Sequence, residues 1–198
     1  MDDIIVVKKQ LKEIDNRFFL LVFLTFRLPL SGAFIANKRQ FITAAHCVYK
    51  RFPFMLKAIA GIKDLQDVAI ASKTYEVKSF VVHPNYYHTS RKVDEFGDIA
   101  VVNIKGEFDF TDPHIKPACI DKSLNRMYNM LIAAGWGYVR PTRVVNGQTQ
   151  NNRIARFLKI AEFDQQNPYW ASMSMDPQCK DNHLICLQPE KAGDSACR

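Results

Sequence analysis

At 198 residues and 22.8 kDa the chain is long enough for one large hydrophobic core or two small ones. Hydrophobic residues make up 47 % and charged residues 24 %, which excludes the disordered and fibrous classes. The net charge is +7, yet the 27 Lys and Arg are scattered and no basic face is interleaved with aromatics, so the sequence reads against nucleic acid as a partner and supports only weak attraction to acidic surfaces.

Residues 1–17 mix acids and bases with short apolar pairs. Phe18 to Phe26 (F-F-L-L-V-F-L-T-F) is then almost continuously apolar until Arg27. That run is too short to span a bilayer, and its long leader of mixed charge makes no convincing signal peptide. Its aromatic and branched content predicts a buried strand. From Leu30 to Tyr49 the pattern predicts hairpin strands around an Asn37-Lys38-Arg39 turn. Within it, Phe41 to Cys47 (F-I-T-A-A-H-C) carries one proton-transfer group, His46. Apolar and small neighbours bury the backbone there while the imidazole ends near a surface. A lone histidine is ordinarily a core residue satisfied by a backbone carbonyl, so His46 needs a second signal.

The signal lies further along the chain. Short alternating segments run to Tyr75–Val82 (Y-E-V-K-S-F-V-V), a half-buried strand that His83-Pro84-Asn85-Tyr86 ends, because proline fixes φ and lacks a donor. His83 and His88 read as structural or solvent-facing. A polar loop, Lys92–Glu95, leads into Gly97–Ile104 (G-D-I-A-V-V-N-I), where Asp98 heads a strand-like apolar run. A carboxylate beside buried chain needs a partner. A histidine held in one tautomer is such a partner, and its pKa near 6.5 suits proton transfer at neutral pH. Glu107 to His114 turns the chain, with His114 on the surface, and Pro113 and Pro117 mark a crossover. Beyond it come Trp136 between Gly135 and Gly137, a hairpin turn at Asn146-Gly147, a returning strand at Arg156–Phe163, and a surface segment at Pro168–Pro177.

T-A-A-H-C around His46 and D-I-A-V-V from Asp98 resemble the histidine and aspartate signatures of the chymotrypsin-like (trypsin-type) serine endopeptidases, in that family's order. The resemblance runs from about Phe18 to Arg198. It includes H-P-N-Y at His83–Tyr86, I-K-P-A-C-I at Ile115–Ile120 and A-A-G-W-G at Ala133–Gly137. It implies an all-β fold of two antiparallel six-stranded barrels, the first spanning about 1–118 and the second, from about 119, incomplete. It also implies a polypeptide substrate or protein partner, secretion, no cofactor and no metal.

The departures are as informative. Ile5-Val6 stands near the family's mature amino terminus, but Val7-Lys8 replaces two glycines and no basic residue precedes a cleavage point. The family bridges the cysteine after the histidine to one near Leu30 or Ser31, and neither is Cys here. A Cys47–His46 nucleophilic pair is the competing idea; adjacent strand residues pointing to opposite faces weigh against it. Five cysteines are an odd count, and the resemblance puts the partners of Cys119 and Cys197 outside this chain. Leu131 stands where another bridging cysteine is usual. Cys179–Cys186 is the disulfide candidate. With His183 between them a C-x3-H-x2-C zinc knuckle would lack its fourth ligand.

Gly193-Asp194-Ser195 looks like the family's nucleophile turn, but Ala196-Cys197-Arg198 comes after it where the family continues Gly-Gly-Pro. Cys186 to Cys197 is close to the family spacing between the two cysteines that precede the nucleophile. By that resemblance Ser195 is expected at the base of the specificity pocket and Arg198 just before the nucleophile segment. The expectation is therefore a serine endopeptidase domain with His46 as base and Asp98 as orienter. As given it lacks nucleophile and oxyanion hole, is inactive, and is prone to instability from unpaired strand edges. The alternative is an inactive serine-protease homologue, or a fragment, acting as a binding or regulatory protein.

Overall fold

The computed structural model describes residues 5–7, 21–26, 28–69, 73–86, 88–89, 92–93, 97–118, 130–136, 138–139, 153–165 and 187–189. The regular elements of the described residues are mostly strands. The first half contains β1 (Ile5–Val7), β2 (Leu21–Phe26), β3 (Leu28–Asn37), β4 (Gln40–Thr43), a single helical turn α1 (Ala45–Val48), β5 (Lys57–Ala60) and β6 (Thr74–Val82). A two-residue ladder of β7 (His88–Thr89) with β8 (Lys92–Val93) is next, then β9 (Ala100–Ile104). The second half contributes β10 (Met130–Gly135), β11 (Tyr138–Val139), β12 (Arg153–Ile154), β13 (Lys159–Gln165) and β14 (Leu187–Pro189).

Strands β2-β3-β4-β9-β6-β5 close into an antiparallel barrel. Closure results from alternation. Along β9 Ala100, Val102 and Ile104 are buried while Val101 and Asn103 are not, and along β4 Phe41 and Thr43 point inward. Bulges at Leu24/Thr25, Ile35/Asn37 and Val77/Ser79 add the local bend and twist that let six short strands curl shut. Ala33, Ile35, Phe41, Val48, Leu56 and Ile115 are among the fully packed interior.

The expected hairpin forms: β3 and β4 pair across the turn, and the Asn37 carboxamide oxygen accepts the Arg39 N–H at 2.9 Å, a side-chain mimic of a turn bond. The apolar run read as a strand at 18–26 is one over Leu21–Phe26, and Tyr75–Val82 lies within β6. Two expectations shift. Lys92 and Val93 are not loop but pair with Thr89 and His88. The returning strand read at Arg156–Phe163 starts at Lys159, because Arg156 to Leu158 bonds instead to the segment after β5. Asn146-Gly147 and Pro168–Pro177 lie outside the described residues.

The second sheet has order β1-β10-β13-β14, with β11 and β12 paired beside it. Its first strand comes from the chain's start: Ile5 lies opposite Ala134 and Val7 opposite Ile132. A boundary drawn at 118/119 is thus crossed by β1. Where the halves meet, Ile59, Ile62, Ala134 and Trp136 form one buried cluster, and the Trp136 indole N–H donates to the Lys63 carbonyl at 3.2 Å.

Candidate functional site

The β4–β9 register builds the site. Phe41 faces Val102 and Thr43 faces Ala100, so the chain leaving Thr43 and the chain entering Ala100 meet at the same end of the barrel. After Thr43 the backbone does not continue as strand. Ala44 is extended (φ −69°, ψ 142°) and Ala45–Val48 coil into one helical turn. His46 and Cys47 therefore separate by a helical step, and the expected strand alternation is not what keeps them apart. The outcome is similar: Cys47 is buried in the barrel core, while the His46 side chain is 37 % exposed.

Asp98 meets that turn from the other side. Its Oδ2 lies 2.6 Å from His46 Nδ1, and its Oδ1 accepts the His46 backbone N–H at 2.8 Å. The Ala45 N–H donates to the same carboxylate. An ionised carboxylate only accepts, so Nδ1 carries a ring proton, and in the neutral ring the lone pair is then on Nε2. The Asp98 side chain is 21 % exposed. Burial pushes its pKa up, but the hydrogen bonds from the His46 ring and backbone, the imidazole's charge and the Ala45 amide outweigh this. The net result lies below the ordinary carboxylate value. A neutral imidazole held in one tautomer beside a carboxylate that stays ionised can accept a proton from a hydroxyl and return it to a leaving group.

Two neighbours of Asp98 carry no titrating role that sequence reading would flag. Gly97 has φ +75°, and a Cβ there would lie 2.8 Å from His83 Nδ1 and 3.2 Å from both the Asn85 carbonyl carbon and the Tyr86 nitrogen. Only glycine lets the strand carrying Asp98 pass so close to the His83–Tyr86 turn. The sequence signal was present, a glycine directly before the acid. Tyr86 is 5 % exposed, packs edge-on against Tyr49 at 5.3 Å, and its hydroxyl has no hydrogen-bond partner among the described residues. Burial raises its pKa, and the Asp98 charge adds to that. The backbone donors Ala45 and His46 leave no mark in a sequence at all.

The other histidines are placed elsewhere. His83 is exposed and its Nδ1 accepts the Asn85 N–H at 3.2 Å. His114 is exposed and pairs with Asp112 at 3.1 Å. Ser195, Cys119, Cys179, Cys186, Cys197 and His183 lie outside the described residues. Among the described residues no group of three or more His, Cys, Asp or Glu could hold a metal ion. No helix among them is long and apolar enough to cross a membrane.

The family model described as Trypsin matches residues 12–198. Among curated relatives, the clotting factor G beta subunit of Tachypleus tridentatus is 24 % identical over 181 residues, covering 85 % of this chain and 54 % of that protein. Ovochymase-2 of Mus musculus is 28 % identical over 111 residues, covering 54 % of this chain and 18 % of that protein. Trypsin-1 of Astacus astacus is 23 % identical over 187 residues, covering 89 % and 70 %. The chain thus spans about half the length of the first of these and a fifth of the second. Among solved structures, neuropsin, a serine protease expressed in the limbic system of mouse brain, superposes with a TM-score of 0.69 at 18 % identity. That match covers 89 % of this chain and 72 % of neuropsin, which establishes a shared chymotrypsin-like fold.

Proposed function

The chain belongs to the trypsin family, and from that premise we propose that it is a serine-type endopeptidase domain in which His46 is the general base and Asp98 its orienting acid. The carrying observation is the 2.6 Å bond between His46 Nδ1 and Asp98 Oδ2 on a carboxylate fixed by backbone donors. In this role Nε2 takes the proton of an attacking serine hydroxyl and later delivers it to the leaving amine of the cleaved peptide. Asp98 remains ionised throughout, holding the tautomer and stabilising the imidazolium. Residues 1–118 and 119–198 are the two halves of this one peptidase domain, with β1 crossing between them. The substrate is a polypeptide and the setting extracellular, both by family.

No serine of these 198 residues is assigned as the nucleophile. Ser195 is assigned to the base of the specificity pocket, because Ala-Cys-Arg comes after it and the Cys186–Cys197 interval fits the pair that precedes a nucleophile. A neutral residue there suits apolar or small side chains over Lys or Arg. In such triads, removing the nucleophilic serine alone costs about 10⁶ in rate. A fluorophosphonate probe applied to the 198-residue chain is therefore expected to leave it unlabelled. Labelling at Ser195 would overturn the assignment.

A second reading, a non-catalytic serine-protease homologue that binds partners, is favoured by one feature. Strand β3 carries Leu30 and Ser31 where the family places the cysteine that bridges to the one after the histidine. Reading the transcript past Arg198 separates the two. An in-frame Gly-Asp-Ser-Gly-Gly-Pro supports the peptidase; a different continuation supports the homologue.

A further inference from the structure

His83 meets the chain on both sides of Asp98. Its backbone N–H donates to the carbonyl of Ile99, the residue after the acid, at 3.0 Å. Its ring lies against Gly97, the residue before the acid, where a Cβ would come within 2.8 Å of Nδ1. The same ring nitrogen accepts the Asn85 N–H at 3.2 Å, and the His83 carbonyl accepts the Tyr86 N–H at 2.9 Å. These two bonds close the turn whose backbone at Asn85 and Tyr86 completes the wall around Gly97. Tyr86 then buries its ring within electrostatic reach of the Asp98 carboxylate.

The bond at Nδ1 repeats a device of this chain with a different atom. Among the described residues, side chains at Asn37, Asp64, Asp109 and Asp112 accept the N–H two residues on at 2.7–3.0 Å, each through a carboxamide or carboxylate oxygen. Such oxygens go on accepting across the whole neutral range. At position 83 a ring nitrogen takes their place. It accepts only when the neutral ring carries its proton on Nε2, the reverse of His46, and a protonated ring has no acceptor at all. Histidine is the side chain that gains such a proton near physiological pH. Two N–H groups would then face each other in the turn, and the ring would have to leave its place against Gly97. Among the described residues, the titratable groups on the chain packed around the ring are Asp98 and Tyr86, with His46 beyond Asp98; β6 carries Tyr75, Glu76 and Lys78 further down the strand. We propose that His83 is a positioning residue for the proton-transfer pair: its unprotonated Nδ1 locks the turn that seats Gly97, and so keeps Asp98 against His46. Its bearing on catalysis rests on the peptidase reading of that pair. A bond that served only its own loop would be felt at Asn85 and no further. One that seats the acid is felt at the His46 ring.

The test uses the full 198-residue chain and reads solvent exchange of the His46 Nδ1 proton by NMR. H83A removes the acceptor, and exchange at pH 8 should quicken about tenfold over the wild type, the equivalent of one hydrogen bond. H83N supplies an oxygen that can accept the Asn85 N–H as Asn37 accepts that of Arg39, and should restore the wild-type rate at pH 8. At pH 5.5 the wild type should exchange about tenfold faster than H83N, because only the wild type loses its acceptor in acid. Comparison at one pH removes the effect of His46's own protonation, which the two proteins share. Should H83A fail to fold, wild type against H83N at the two pH values decides alone. Equal exchange in wild type and H83N at pH 5.5 overturns the proposal. So does H83N exchanging as fast as H83A at pH 8, which would assign the effect to ring packing and not to the acceptor. A wild type without a protected His46 proton at pH 8 overturns it too, and removes the pair itself. Failure of the peptidase reading alone looks different: the His46 proton is protected and follows position 83, while the transcript past Arg198 lacks Gly-Asp-Ser-Gly-Gly-Pro.

Discussion

Asp98 gathers its donors from a single helical turn, and the consequences are local and measurable. Replacing it by Asn presents an amide N–H₂ to the ring, so the proton moves from Nδ1 to Nε2 and the lone pair is lost from the cleft. Nitrogen-15 NMR of His46 at pH 8 should show this tautomer exchange in D98N and the Nδ1–H form in the wild type. Because the folded Asp98 carboxyl lies below the ordinary value of about 3.9, its contribution to stability is complete above that value and is lost as pH falls through the folded value. Urea midpoints measured from pH 7 to pH 3 should drop more steeply for the wild type than for D98N. Tyr86 presents the opposite case. A buried hydroxyl without a partner costs about 1–3 kcal/mol, so Y86F should leave stability unchanged or raise it by ~1 kcal/mol. A clear fall in melting temperature would reveal a partner for the hydroxyl. The sequence marks His46 at the end of a small, apolar stretch and Asp98 at the head of another. The sequence of Tyr86 carries no trace of its unmatched hydroxyl, since that depends on which chains happen to pack over it.

At the scale of elements, the site is a product of register. A one-residue slip between β4 and β9 would turn Val102 outward and carry Asp98 away from α1. Gly97 guards the approach. In G97A a Cβ would have to enter at a positive φ against His83 Nδ1 and backbone of the next turn, and strain of this kind costs about 1–3 kcal/mol. Denaturant melts should show that loss, with a weakened His46–Asp98 bond read from the downfield ring proton. Serine at the same position should fare no better. Strand β6 was readable from its half-buried pattern, β9 from its apolar run and the β3–β4 hairpin from its turn residues. The helical turn under His46 was not. Four residues, three of them apolar and without a side-chain cap at Ala44, give no 3.6-residue period to detect. Tertiary packing of Ala45, Cys47 and Val48 into the barrel decides it.

At the scale of the whole molecule, the two halves are joined by a seam that local sequence reading misassigns. Arg156 clamps Asp64 through Nε and Nη2 at 2.6–2.9 Å across 92 residues of sequence, and the Leu65 and Leu158 N–H groups donate across the same join at 2.9 and 2.8 Å. Arg156 to Leu158 was read as the start of the strand returning from the Asn146-Gly147 turn. Pairing with a segment so distant leaves no local pattern. Trp136, by contrast, was conspicuous between its glycines, and it holds the apolar half of the seam. The two contacts should fail differently. Truncating Trp136 to Ala opens a cavity in the Ile59–Ile62–Ala134 cluster and should cost about 3–5 kcal/mol. The Asp64–Arg156 pair acts by charge. The Arg156 guanidinium holds the Asp64 carboxyl below its ordinary value, so the pair is intact above about pH 4 and is lost as pH falls through the folded value. In R156Q, the protection factors of the Leu65 and Leu158 amides at pH 7 should fall to the values that the wild type shows only in acid, while Val102 in the barrel stays protected. Equal exchange in both proteins at pH 7 would mean that the backbone bonds and Trp136 alone join the halves.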